Sequence, residues 1–350
     1  MLGGPLLAIC HVARAGAAAI AITAFLTASA HAQSLKPDTS RPTKIGVFLN
    51  SIFDINPARD SYVADLYVWS LSPSTGPDPL DPVAFPRAKS QTVVEKWSEI
   101  HGDTLWSVRR FRCDMTKDWD LGDYPFDLHI VNIVIGPYAD AAILPPLEVD
   151  AAHSGANANA TSKGWRLKGF HVKVQSITYA TNFGDPSTEE NEPYGWIAAS
   201  FELDRHGWWI FLKLMTGAYI AFAVAMLACL MKTNHPPIFS GRMGLQIACL
   251  FAVIINHRST NSSVGRDDVF CLPDTLHLII YALIFAAIFI TLRSRLLNER
   301  GEEKQAIRWE RRMTLVVVAI FAAANLLFIP AAIFTPPHQD DLAHASHIAK

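Results

Sequence analysis

The stretch RMGLQIACLFAVIINHRSTNS, residues 242–262, decides the fold. Its apolar centre, Met243–Ile255, is 13 residues long and contains Gln246. Hydropathy alone makes it a re-entrant or peripheral piece, because crossing a ~30 Å hydrocarbon layer takes about 20 apolar residues. Topology argues otherwise. Leu214–Met231 and Met313–Pro336 carry no charge and Thr275–Leu292 carries only His277, so three spans surround the short one. The link Arg293–Arg312 holds seven Lys or Arg against four acids, the mark of the cytoplasmic side. If the segment before residue 205 is exported and the first span runs inward, the chain must cross again before the third span. A helix over residues 242–262 is ~31 Å long at 1.5 Å per residue, enough to cross. Its outer third, Asn256–Ser262, is wholly polar, which requires water or protein rather than lipid around it. A helix shielded by its neighbours and lining an aqueous path meets that requirement.

Working outward, residues 40–204 read as short alternating runs broken by turn-formers, the pattern of antiparallel strands with one buried face. Phe170, Val172 and Val174 alternate with His171, Lys173 and Gln175, and Ile197, Ala199, Phe201 and Leu203 alternate with Ala198, Ser200, Glu202 and Asp204. Further strands are expected over Ile45–Phe53, Ala64–Leu71, Leu105–Phe111 and Leu128–Ile135. Such a segment suits an all-β, immunoglobulin-like sandwich ahead of a four-helix transmembrane bundle. Ser72–Pro86, with five prolines, and the small polar tract Ala151–Lys163 read as loops that contribute nothing to a core.

The N-terminus carries Arg14, an apolar run, and Ala30-His31-Ala32 before Gln33, the shape of a signal peptide cleaved near residue 32. A retained N-terminal anchor is the competing reading. Of five cysteines only Cys113 falls in the exported part, so no disulfide framework is available there. The division expected is signal peptide 1–32, ectodomain 33–205, membrane domain 206–336 with its link 293–312, and tail 337–350. A net charge of -2 without a basic, aromatic-interleaved stripe excludes nucleic acid as a partner. No zinc-protease, nucleophile-elbow or phosphate-loop motif appears and the thirteen histidines are scattered, so neither catalysis nor a cofactor or metal is implied.

Asp123-Tyr124-Pro125-Phe126-Asp127, Gly136-Pro137-Tyr138, Glu192-Pro193-Tyr194, Arg205 and Trp208-Trp209, in this order, resemble the motifs of the pentameric ligand-gated ion channels, the Cys-loop receptor superfamily, in their prokaryotic form. Asp123-Tyr124-Pro125-Phe126-Asp127 is similar to the tip of the signature loop, with Lys117 and Val131 where animal members carry bridging cysteines. Gly136-Pro137-Tyr138 is similar to the segment bearing the central aromatic of the agonist pocket. Glu192-Pro193-Tyr194, Arg205 and Trp208-Trp209 resemble the capping loop, the pre-membrane arginine and the start of the first span. Ala64–Trp69 resembles the strand of the complementary face. The family's first-span proline is missing, with Thr216 near its place, and the loop after the second span, Ser259–Val269, is long and polar.

The resemblance implies a homopentamer that binds a small molecule between ectodomains and opens a central pore for a permeant ion. It implies a lipid-embedded plasma-membrane protein, bacterial inner membrane by type, with ectodomain and C-terminus outside. A cation, often an ammonium, is attracted to an aromatic face by ~0.5–2 kcal/mol. Tyr138, Tyr194, Tyr67 and Trp69 are the expected ligand residues, with Trp106 and Tyr179 behind them. The competing reading is that strand aromatics such as Trp69 and Trp106 pack the sandwich core. Asp127 and Arg205 are expected to pair where the signature loop meets the strand entering the first span. In the second span Gly244, Ala248, Phe251, Ile255 and Ser259 share one helix face, and rings of Phe251 and Ile255 would gate by dewetting. Leu245, Leu250 and Val253 offer competing faces. Ser240-Gly241-Arg242 presents no acid at the inner mouth and Arg258 opposes cations if it faces the lumen, which leans toward anions or poor selectivity. A receptor of the same fold that signals to a partner without conducting is the rival, and a binding module tethered by the helices is a third reading.

Overall fold

The computed structural model describes residues 41–136, 147–178, 180–182, 184, 193–265 and 269–336. The signal-peptide reading, Tyr138, Tyr179, Glu192 and the tail 337–350 lie outside them.

Alternation of apolar and polar residues builds the ectodomain. In β1 (Thr43–Asn56) Ile45, Val47 and Leu49 turn inward, as do Ala64, Leu66 and Val68 in β2 (Ser61–Pro73). They belong to a six-stranded sheet ordered β3-β4-β2-β1-β6, completed by β3 (Ala88–His101), β4 (Thr104–Thr116), β6 (Leu147–Val149) and β7 (Gly155–Ala156), which pairs with β1. The second sheet, ordered β5-β9-β8, comprises β5 (Leu128–Ile135), β8 (Trp165–Thr178) and β9 (Pro193–Arg205). One core joins them: Phe111, Cys113 and Met115 of β4 meet Val131, Ile133 and Ile135 of β5 and Ile197, Ala199, Phe201 and Leu203 of β9. This is a β-sandwich-like arrangement. Burial pushes the Cys113 thiol up to about 12. In β8, Trp165 and Leu167 pack on the core, an extra residue at Gly169 with φ +58° shifts the register, and Phe170 and Val172 resume the inward positions.

Two sequence expectations are corrected. The Pro-rich tract after β2 does pack: Leu80, Val83 and Phe85 are buried, and the loop is clamped by Arg109, which hydrogen-bonds Asp78 at 2.8 Å, Asp81 and the Leu80 carbonyl. Ala160 of the second tract is likewise in the core. Prolines fixed the turns without removing the apolar anchors between them. The strand β3 was not anticipated, because it is an edge strand exposed on both faces and therefore lacks a period-2 pattern.

Four helices follow: α1 (Gly207–Ala228), α2 (Pro236–Val264), α3 (Leu272–Glu299) and α4 (Glu303–Phe334). Each is long and apolar enough to cross a membrane, including the one that hydropathy alone would have demoted. The expected link 293–312 is mostly helical, with only residues 300–302 between α3 and α4.

Candidate functional site

The outer face of the larger sheet gathers the first group of expected residues. Side chains alternate across a strand, so Asp65, Tyr67 and Trp69 of β2 point away from the core. Arg110 stands opposite Tyr67, Val108 opposite Trp69 and Trp106 opposite Leu71, placing Trp106 on the same face. Neither Trp69 nor Trp106 packs in the core. Tyr67 stacks on Trp97 of β3 with centroids 6.4 Å apart, and the Arg110 guanidinium lies 5.6 Å from the Tyr67 ring. Asp65, 1% exposed, accepts from Arg110 at 2.8 and 3.0 Å and from Arg112 at 3.0 Å, while Glu95 accepts from Arg110 at 3.0 Å. Burial pushes the Asp65 carboxyl up, but its hydrogen bonds from Arg110 and Arg112 hold it below the usual range. Trp97 was missed in the sequence because it lies on the unrecognised strand, and Arg110, on an expected strand, because nothing local marks it as the partner of Tyr67 and Asp65.

Trp69 is steered by a glycine. Its indole lies over Gly46 of β1, where a Cβ would overlap the ring, and its Nε1–H donates to Asp150 at 3.1 Å. Gly46→Ala is expected to dislodge the indole and break that bond. The measurement is Trp fluorescence with urea unfolding, the loss being about 1–3 kcal/mol by analogy with overpacked cores.

Tyr194 stands apart. It is half-buried on β9, on the face of the smaller sheet away from the core, opposite Ile177 of β8. Within one chain the core separates it from Tyr67, Trp69 and Trp106. Gly136, at the start of the segment bearing Tyr138, has φ +144°, exchanges backbone hydrogen bonds with Ala84, and lies against buried Trp196, only 2.9 Å from where a Cβ would sit. Larger residues cannot take that place.

The junction between sandwich and helices is built from the signature-like loop. Asp127 is 2% exposed and receives Arg205 Nε at 2.9 Å, Arg205 Nη2 at 3.0 Å and a contact from His129 Nε2 at 2.7 Å. The Arg205 guanidinium lies over Trp165 at 4.0 Å and Tyr124 at 4.9 Å. His129 meets the edge of Trp119 at 4.9 Å, and Lys117 lies over Trp119. Burial pushes the Asp127 carboxyl up, but the charge of Arg205 and the hydrogen bonds from His129 and Arg205 outweigh it and hold it below the usual range. Phe126 packs on Trp208 and Phe211 of α1 at 5.0 and 5.5 Å, and the Tyr124–Pro125 peptide is cis. The Leu272 N–H of α3 donates to the Gly122 carbonyl at 3.0 Å. A second contact joins Ala58, in the turn Pro57–Arg59 between β1 and β2, to Gly265 at the end of α2. One loop thus carries the buried ion pair at Asp127, packs on the first helix through Phe126 and accepts from the third helix at Gly122.

In α2 the polar residues turn inward. Arg242, Gln246, Cys249, Val253 and Thr260 form the buried stripe. Arg242 is fully buried and donates to the Met231 carbonyl at 2.8 Å and to Glu310 of α4, so it does not stand at the mouth of the exposed face. Gln246 accepts from Thr291 at 2.9 Å. Asn256 and His257 bond to α1 and α3, so at these two positions protein rather than water surrounds the polar end. At about 100° per residue, Gly244, Ala248, Phe251, Ile255 and Ser259 lie on the opposite side. All five are exposed, Phe251 at 60% and Ile255 at 70%. Of the competing faces, Val253 is buried, Leu250 half-buried and Leu245 exposed. Arg258, Ser259 and Ser262 continue the exposed side outward. Thr216, near the place of the missing proline, bonds back to the Leu212 carbonyl.

Comparison with family models finds no match to this chain, and comparison with curated proteins finds none either.

Proposed function

We propose that the chain is one subunit of a homopentameric ligand-gated ion channel, with an immunoglobulin-like sandwich that binds a small molecule between neighbouring copies. The pore is lined by the exposed stripe of α2. The observation that carries this reading is the uncovered outer end of that stripe. Arg258, Ser259 and Ser262 follow directly on Phe251 and Ile255, and a charge beside hydroxyls at that depth is tolerated against water or another copy but not against lipid. In the pentamer Tyr194 of one subunit faces Tyr67, Trp69 and Trp106 of the next, which joins what the core of a single chain keeps apart. With Arg242 paired to Glu310, Arg258 is the charge on the exposed side of α2 among the described residues, which favours anions or poor selectivity.

The test is purified protein in planar bilayers, challenged with amines, amino acids and acid. Ligand-dependent single-channel currents are expected. Binding without current in a confirmed pentamer would make the chain a non-conducting receptor, and a monomer in nanodiscs would leave only a tethered binding module.

A further inference from the structure

Asn256 is a side chain through which the outer part of α2 touches both α1 and α3. Its Oδ1 accepts from the Ala218 N–H of α1 at 3.1 Å and faces His277 Nε2 of α3 at 3.0 Å. Gly217 makes room for it, since a Cβ there would lie 3.0 Å from Asn256 Nδ2. The other nitrogen of His277, Nδ1, is 2.7 Å from the Pro273 carbonyl. A carbonyl only accepts, so Nδ1 carries a proton. In a neutral imidazole Nε2 is then a bare lone pair pointing at the lone pairs of Oδ1. Turning the amide over supplies Nε2 with a donor but sets an N–H of Asn256 against the N–H of Ala218. All three contacts are satisfied together only when His277 carries protons on both nitrogens.

The surroundings supply a route and a counter-charge. His257 stacks on His277 with centroids 4.6 Å apart and planes 11° apart. Its Nε2 lies 2.7 Å from Asp274 and its Nδ1 3.0 Å from the Tyr281 hydroxyl. Asp274 also accepts from the Cys271 N–H at 2.8 Å and Sγ at 3.0 Å. His277 is fully buried, whereas the His257 side chain is 19% exposed and is the part of the cluster nearest the surface of the bundle. The charges facing His277 are those of His257 and Asp274, α1 offers the backbone of Gly217 and Ala218, and Arg258 is on the exposed side of α2.

We propose that Asn256 and His277 form a proton-operated latch. With His277 protonated, Asn256 ties the outer part of α2 to α1 and α3 at once; with His277 neutral, one tie is lost and that part of α2 is released. The latch stands on the helix bundle alone, so its failure and that of the channel reading are separable.

The experiment uses the full chain in nanodiscs, with spin labels at the exposed positions Ile220 of α1 and Ser262 of α2, read from pH 5 to 8, the span in which histidine changes charge. The label separation is expected to grow with rising pH by about 1–2 Å, the scale of helix shifts at packed interfaces. His277→Gln, whose amide N–H donates to Asn256 at any pH, should hold the short separation throughout, and His277→Leu the long one. His257→Gln should keep the transition. In the unsubstituted chain, 15N spectra of histidine should show both His277 nitrogens protonated at pH 5 and Nε2 bare at pH 8. A pH-independent separation in the unsubstituted chain, a transition that survives His277→Gln, or a neutral His277 at pH 5 would overturn the latch.

Discussion

Asp127→Asn is expected to destabilise the ectodomain by about 3–5 kcal/mol, the cost of leaving a buried charge without its partner. Against a typical domain stability of about 5–15 kcal/mol this is among the largest single effects the fold can show. Arg205 would remain buried between Trp165 and Tyr124 with no carboxylate to answer it. Urea unfolding of the full chain in nanodiscs measures the loss. Exchanging the two charges is expected to restore nothing, because the pair is not symmetric. The arginine site is walled by aromatic faces, which repel an anion, and the aspartate site also receives His129. The dependence on pH follows from the lowered carboxyl. A group whose folded pKa lies below its unfolded value contributes stability above the unfolded value and loses it as pH falls through the folded one. The difference between the unsubstituted chain and Asp127→Asn should therefore stay constant from pH 8 to about 5 and shrink only below about 4.

Gly207→Ala is expected to part the signature-like loop from the first helix. A Cβ at this position overlaps the Pro125 carbonyl oxygen and comes within 2.7 Å of the Phe126 ring. Because backbone stands on both sides, no rotamer change relieves the overlap. A loss of about 1–3 kcal/mol is expected, with Phe126 displaced from Trp208 and Phe211. Gly241→Ala is the control. It lies in α2 with nothing within 4 Å of an added Cβ, so the helix should gain up to about 1 kcal/mol. If both substitutions behaved alike in thermal unfolding, the tight approach at Gly207 would not matter to the junction.

The strands of the sandwich were legible where one face is buried, as in β9, and illegible where neither is, as in β3. That one omission hid Trp97, which a two-faced edge strand does not announce. Four helices of membrane-crossing length were legible, three from their apolar runs and the second from the charge count of the link 293–312, although taken from Pro236 to Val264 that helix is as apolar as the first. What the sequence did not disclose was orientation. Polar residues of α2 such as Gln246 and Asn256 face its own bundle and apolar ones such as Phe251 face outward, the reverse of what burial rules suggest for a chain in water. The Asp127–Arg205 pair was foreseen from motif order, but its aromatic walls and His129 arrive from strands distant in sequence, which no local pattern links.

The most direct test of the pore is access to the exposed stripe of α2. The native thiols among the described residues, Cys113, Cys229, Cys249 and Cys271, are all buried, so an introduced cysteine is the reactive one. Ala248→Cys and Ser259→Cys, exposed on the stripe, should each react with a charged, water-soluble thiol reagent in the open state and change the single-channel current. Ile254→Cys, exposed on the flank, should not. Reaction at Ile254 with no effect at Ala248 and Ser259 would contradict the assignment of this face to a water-filled pore.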